Sequence, residues 1–386
     1  LKRYIILVAA VVMQMCLGAT YSWSVYVQSL RLATGLMQGT VQIPFTLFYL
    51  VFPATMVWAG RLLPRLGPRR CAIIGGVVFG CGWLVAGFGG RHFALTVLGI
   101  GGLAGIGVGF AYIVPIATCI QWFPRHKGLV TGVAVAGFGG GAAVVSQLGS
   151  YLMRQQAFTP FAVFGLLGAA FMALVTLAGT AMENPPAAGP TTRARLPVAD
   201  LVRSQVFRRY YAAMVCALAA GFTVNANLKE LCAVCRPETG VAAVALFAVA
   251  NAAGRVVWGA IFDRARTGHV MRANLVLQAV LLMAAGTILR TPAGLPVFAL
   301  LTGFNYGGVL VIYASAVARH WGPDKVGQVY GCLFSANIPA ALAPLAAGYA
   351  YDLTGGFAAS LILIALSMLL MALPTGLWAS EMKSST

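Results

Sequence analysis

Arg255 is the residue from which the chemistry of this chain is read. It lies near or a little past the middle of the apolar stretch Val241 to Phe262, which contains no Asp or Glu. An ionised guanidinium at the centre of a membrane-spanning helix costs about 2.5 to 3.5 kcal/mol on insertion scales, so it must face a protein interior or a wet cavity. Asn251 stands four residues earlier and shares that helix face, adding a neutral donor and acceptor beside the charge. A planar fork pairs with a carboxylate through two parallel hydrogen bonds, which fixes orientation as well as charge. The expected chemistry is recognition of a small anion, with the ligand supplying the counter-charge. The competing reading is a structural staple, in which Arg255 bonds helix-end carbonyls or neighbouring side chains.

No other grouping of residues points to catalysis. His92, His126, His269 and His320 are scattered through loops and span ends, with no metal-ligand spacing, nucleophile motif or P-loop nearby. An enzyme is therefore not expected, and neither is a cofactor, metal or ATP. Cys16, Cys71, Cys81, Cys119, Cys216 and Cys332 lie in or beside apolar spans, where thiols behave as small hydrophobes. Cys232 and Cys235 form a single CxxC, a weak signal that fits coincidence or an incidental disulfide.

The elements that position Arg255 follow from composition. With 60% hydrophobic and only 9% charged residues among 386, the chain lies outside the range of soluble domains, where about a quarter of residues are charged. Apolar runs of about twenty residues mean helices rather than barrel strands. Twelve spans are expected, at 4–27, 38–60, 71–89, 93–118, 128–152, 158–181, 208–230, 241–262, 272–289, 295–317, 327–351 and 356–379. The opening apolar run continues through Val27 without the pattern of a cleavable signal peptide.

A net charge of +18 invites a nucleic-acid reading, but the placement of the charges opposes it. Counting residues at span edges with the adjoining loop (Arg208, Arg209 and Arg272 with even-numbered loops, Lys229 with an odd one), the termini and even-numbered loops hold 19 of the 26 Lys and Arg, the odd-numbered loops hold six, and Arg255 is the last. That asymmetry is the positive-inside pattern, so the expectation is a multi-pass protein of the cell inner (plasma) membrane with both termini cytoplasmic. Its basic loops would face anionic membrane lipid, with no nucleic acid as partner.

The long hydrophilic connector Glu183 to Arg209 divides the chain into a first six-helix bundle over 1–182, a cytoplasmic linker over 183–206 and a second bundle over 207–386. A short interfacial helix is expected around Pro197 to Val206. The halves repeat each other. Adding 199 to Gly60, Arg65, Trp122, Pro124, Gly128 and Gly132 gives Gly259, Arg264, Trp321, Pro323, Gly327 and Gly331, identical at all six positions. The fold class expected is an all-α membrane protein of twelve transmembrane helices in two pseudo-symmetric six-helix bundles, as in one large class of secondary transporters.

GRLLPRLGPRR (Gly60 to Arg70) and GAIFDRARTG (Gly259 to Gly268) resemble the basic loop of the major facilitator superfamily. The first copy has Pro64 where that family usually carries an acid, and the second keeps Asp263. A glycine, an acid and several cations at a helix end suggest a loop that locks or releases the two halves. GATYSWSVY (Gly18 to Tyr26), QWFPRHKGLVTG (Gln121 to Gly132) and NAAGRVVWG (Asn251 to Gly259) are similar to segments of the oxalate:formate antiporter group, itself related to monocarboxylate transporters. The resemblance covers essentially the whole chain.

The resemblance implies a substrate arginine at Arg255 and an anion cage including Tyr21, Tyr112 and Tyr306, with Phe334 in place of a tryptophan. Each tyrosine is otherwise a core or interface residue. It also implies a second cation on the eleventh helix, where this chain has Asn337. Two cations suit a dianion and one suits a monoanion; an ion pair at about 4 Å is worth roughly 4 kcal/mol before desolvation at an effective dielectric near 20. The expected cargo is a small monocarboxylate of the lactate or pyruvate type, moved with a proton by alternating access in a functional monomer. Animal-type monocarboxylate transporters resemble the chain but carry an acid where it has Asn251, so Asp263 and Glu230 remain as proton-coupling candidates. Anion exchange is the runner-up, and a receptor that binds a carboxylate without moving it is the reading from another class.

Small residues are expected to let helices close up in lipid. Gly101, Gly105 and Gly109 line one face of the fourth span, Gly137, Gly139, Gly140 and Gly141 cluster in the fifth, and Pro339 and Pro344 should kink the eleventh.

Overall fold

The structure, a computed structural model, describes residues 2–36, 38–186, 196–228, 231–232, 237–291 and 293–373. Each of the twelve expected spans is mostly helical in its described residues. The principal helices are α1 (Lys2–Leu17), α2 (Gln38–Gly87), α3 (Gly105–Trp122), α4 (Lys127–Gln155), α5 (Pro160–Thr180) and α6 (Gln205–Asn227). They continue with α7 (Pro237–Arg264), α8 (Thr267–Met283), α9 (Gly294–Trp321), α10 (Val326–Phe334), α11 (Ala343–Thr354) and α12 (Ala358–Ala372). Seven described helices are by themselves long and apolar enough to cross a membrane, and one of them, Ile43–Gly87, covers two expected spans.

The second and third spans meet differently from the expected loop. Helical backbone runs through the basic segment and breaks only at Gly67, whose φ of 78° lies in the region that favours glycine. Pro68 follows, and it has no N–H with which to continue the preceding helix. In the linker, Val198–Arg203 forms the short helix expected there, ended at Ser204, whose side chain then caps α6 by accepting from the Phe207 N–H.

The eleventh span is broken rather than merely kinked. It comprises α10, the short piece Asn337–Ala340 and α11. Pro339 and Pro344 each remove a backbone donor, and the ladder interrupts around both.

Two compact units emerge, and they do not follow chain order alone. The first comprises Leu1–Pro124, Val133–Thr192 and Trp321–Ser335; the second comprises Arg125–Gly132, Arg193–His320 and Ala336–Thr386. The start of the fifth span thus groups with the second unit and the start of the eleventh with the first. These two short segments are the ones that the 199-residue offset relates.

Inside the first unit, Trp23, Tyr26, Trp83 and Phe164 form a fully packed aromatic cluster, with ring centroids 5.0 to 6.5 Å apart. Such pairs contribute about 0.5–1.5 kcal/mol each beyond area burial. Gly101, Gly105 and Gly109 face Leu47, Val51 and Thr55, so the fourth span lies directly against the second. At one end of this unit, Glu183 pairs with Lys2 and with Arg69 (3.4 Å), while its carbonyl accepts from Trp122 Nε1 at 2.7 Å. Those contacts gather four segments of the chain at one end, in keeping with a common basic face.

The second unit holds a buried carboxamide network that joins α8 to α9. Asn274 Nδ2 donates to the Asn305 carbonyl at 2.9 Å and to its Oδ1 at 3.0 Å; Asn305 Nδ2 donates to the Asn274 carbonyl and to Gln278 Oε1, both at 2.9 Å. Without a hydrophobic drive between helices in lipid, such bonds contribute about 0.6–2 kcal/mol each to association.

The repeated glycines form two equivalent close crossings. A Cβ on Gly60 would sit 2.1 Å from the Gly327 carbonyl oxygen in the first unit. In the second unit, a Cβ on Gly128 or on Gly259 would sit 2.2 Å from the other's carbonyl oxygen. Real Cβ atoms do not approach so closely, which gives the sequence repeat a physical cause.

Candidate functional site

Helix α7 carries Arg255 and Asn251, and both side chains are buried, at 6% and 8% exposure. Arg255 Nε donates to Asn251 Oδ1 at 3.1 Å. This i, i+4 bond fixes the plane of the guanidinium, which directs its terminal nitrogens. Asp263, on the same helix, lies eight residues on, about 12 Å along the axis.

Helix α9 is pressed onto this part of α7. A Cβ on Gly307 would lie 2.1 Å from the Asn251 carbonyl oxygen and 3.1 Å from the Arg255 backbone nitrogen, and one on Gly254 would lie 1.9 Å from the Phe304 carbonyl oxygen. The neighbouring Tyr306 is half-buried, stacked on Phe247 at 6.1 Å and edge-on to Phe222 at 6.2 Å. Asn305, on the same turn, anchors α9 through the carboxamide network. The sequence reading missed that support. Its signal was present as three carboxamides, Asn274, Gln278 and Asn305, inside otherwise apolar spans.

A third helix end meets the same segment. A Cβ on Gly132 would lie 2.3 Å from the Arg255 carbonyl oxygen, so the first turns of α4 rest on α7 from Arg255 to Gly259. Asp263 completes this contact: its Oδ1 accepts from the Gly128 N–H at 2.7 Å and its Oδ2 from the Leu129 N–H at 2.9 Å. A carboxylate spanning two N–H groups at a helix start is a favourable charge placement. Pro64 occupies the equivalent place in the first repeat and provides no such acceptor. Asp263 is therefore engaged as a cap. Glu230, the other proton-coupling candidate, lies outside the described residues.

The aromatic candidates separate between the units. Tyr112 is 1% exposed in the first unit, with its ring against Phe52, Phe138 and Phe334 at 5.3, 5.3 and 5.4 Å. Gln14 Nε2 donates to the Tyr112 carbonyl at 3.2 Å. Tyr21, 40% exposed, meets the other side of the Phe138 environment at 5.1 Å. Ring contacts thus run from Phe334 through Tyr112 and Phe138 to Tyr21. Asn337 belongs to the second unit with Arg255, Asn251 and Tyr306, half-buried at the start of the short piece between the breaks of the eleventh span. Interrupted helices of this kind are where membrane carriers place polar backbone and ligand groups.

Cys16, Cys71, Cys81, Cys119, Cys216 and Cys332 are free, as small hydrophobes would be. Cys232 is disulfide-bonded; Cys235 lies outside the described residues. Among the described residues, no group of three or more His, Cys, Asp or Glu could hold a metal ion.

Comparison with known proteins agrees with this architecture. The family model described as Major Facilitator Superfamily matches residues 6–331. The oxalate:formate antiporter of Oxalobacter formigenes is 26% identical over 363 residues, covering 88% of this chain and 83% of that protein. Apicoplast pyruvate carrier 1 of Toxoplasma gondii is 27% identical over 367 residues, covering 77% of this chain and 66% of that protein. The crystal structure of the E. coli fucose:proton symporter matches with a TM-score of 0.75 at 13% identity, covering 95% of this chain and 96% of that one, a likeness of fold. A family match over most of the chain, joined to its helical membrane architecture, leads to one conclusion: this chain belongs to the major facilitator superfamily and is a multi-pass membrane transporter, not an enzyme.

Proposed function

We propose that this transporter carries small monocarboxylates, with Arg255 taking the carboxylate through its terminal nitrogens while Asn251 holds Nε. The observation that carries the reading is the buried Arg255–Asn251 pair at 3.1 Å in the middle of α7. A guanidinium held in one plane is prepared for bidentate recognition, and an anion offsets the cost of keeping its charge away from water. Tyr306, in the same unit as Arg255, would orient the bound acid. Asn337 in place of a second cation favours one negative charge over two. The relatives that move pyruvate or exchange oxalate and formate support this substrate class.

Proton-coupled symport by alternating access is the preferred mode, presenting Arg255 to one side of the membrane and then to the other. Anion exchange has its own supporting observation. A relative, the oxalate:formate antiporter of Oxalobacter formigenes, is an antiporter of two carboxylates. Purified protein in liposomes separates the two. Labelled lactate or pyruvate entering with an inward pH gradient and no internal anion supports symport, whereas uptake that requires internal carboxylate supports exchange. Absence of both under conditions where binding is measurable contradicts transport of this class.

A further inference from the structure

A second cationic place lies apart from Arg255, in the second unit where α6 passes α12. A cavity of about 310 Å³ opens there, lined by Gln205, Arg208, Arg209, Ala212, Leu370 and Met371. The four α6 residues follow helical i, i+3, i+4, i+7 spacing, so one face of α6 turns two guanidinium groups into the cavity. Leu370 and Met371 from the last turn of α12 form the apolar wall, and Leu370 is 61% exposed. Arg209 Nη1 is buried yet makes no hydrogen bond among the described residues. Neither Arg208 nor Arg209 has a carboxylate within ion-pair distance among those residues.

The buried Arg209 Nη1 needs an acceptor, and with the exposed Arg208 beside it two forks on one face match the oxygens of a phosphate group. An apolar wall that continues outward along α12 is of no use to a free ion but suits an acyl chain. We propose that this cavity holds the phosphate of an anionic phospholipid, with Arg208 and Arg209 on the headgroup and Leu370 and Met371 against the chain. Basic pockets between helices at the cytoplasmic end are the physical setting for such binding. The lipid would tie the first helix of the second unit to its last, close to the linker that leads into α6.

The test uses full-length protein extracted in detergent and exchanged into nanodiscs of phosphatidylcholine with or without phosphatidylglycerol. Native mass spectrometry then counts the phosphatidylglycerol retained by the wild type, by Arg208→Gln/Arg209→Gln and by Arg208→Lys/Arg209→Lys. The expected result is specific retention in the wild type, about tenfold or more weaker in the Gln double variant, with the Lys pair intermediate because charge persists without the fork. Inorganic phosphate added as a competitor should leave retention unchanged. Equal retention by wild type and the Gln variant overturns the site. Displacement of the lipid by inorganic phosphate at matching concentration overturns the lipid assignment. A melting temperature for the Gln variant in pure phosphatidylcholine equal to that of the wild type shows that any loss is of binding and not of folding.

Discussion

Asp263→Asn should loosen the start of α4 from α7 by a measurable amount. The carboxylate accepts two hydrogen bonds, from Gly128 at 2.7 Å and Leu129 at 2.9 Å. Charge-assisted bonds of this kind are worth about 1.5–3 kcal/mol each, and a carboxylate at a helix start adds about 0.3–1 kcal/mol. Asparagine keeps one acceptor but turns an amide donor toward the other N–H, so one bond is lost and the survivor loses its charge. A net cost of about 2–3 kcal/mol corresponds to a roughly 30- to 150-fold rise in local opening. Hydrogen–deuterium exchange over residues 125–135 reads it directly, and exchange within α9 serves as the control for global folding. Because the Gly132 crossing rests on the Arg255 carbonyl, the same variant should also change transport. Unchanged exchange over residues 125–135 in a folded Asp263→Asn protein would refute the capping role.

Gly259→Ala places a methyl 2.2 Å from the Gly128 carbonyl oxygen and must push α4 from α7, so thermal stability and transport should both fall; wild-type values for both would contradict the close crossing. Asn274→Leu removes the donor to Asn305 and should destabilise the second unit by about 1–2 kcal/mol, read as a lower melting temperature in the same detergent. Asn337→Lys restores a second cation and should shift competition from lactate and pyruvate toward oxalate; an unchanged panel at two pH values would remove the monoanion argument.

Much of the fold was legible because span length and apolar composition are strong physical constraints in a membrane. The 199-residue repeat was legible too, and the Gly60–Gly327 and Gly128–Gly259 crossings explain why those glycines, rather than others, match. Arg255 and Asn251 could be paired from helical spacing alone. The break of the eleventh span into three pieces was less legible, since two prolines predict a bend but not where the ladder resumes. Asp263, a proton-coupling candidate from the sequence, accepts from backbone N–H groups of a segment over a hundred residues away, partners that no local pattern reveals. The carboxamide network was missed for the same reason: α8 and α9 must be packed before Asn274 and Asn305 are seen to meet.

The most direct measurement of carboxylate recognition compares saturable pyruvate and lactate binding, and uptake into liposomes, for wild type and Arg255→Lys. Lysine keeps the positive charge but loses the planar fork and the Nε–H held by Asn251. With about 1.5–3 kcal/mol lost, binding should weaken roughly ten- to a hundredfold and uptake should fall with it, while the variant stays monodisperse. Wild-type affinity and rate in a folded Arg255→Lys protein would contradict a direct role for Arg255 in holding the substrate.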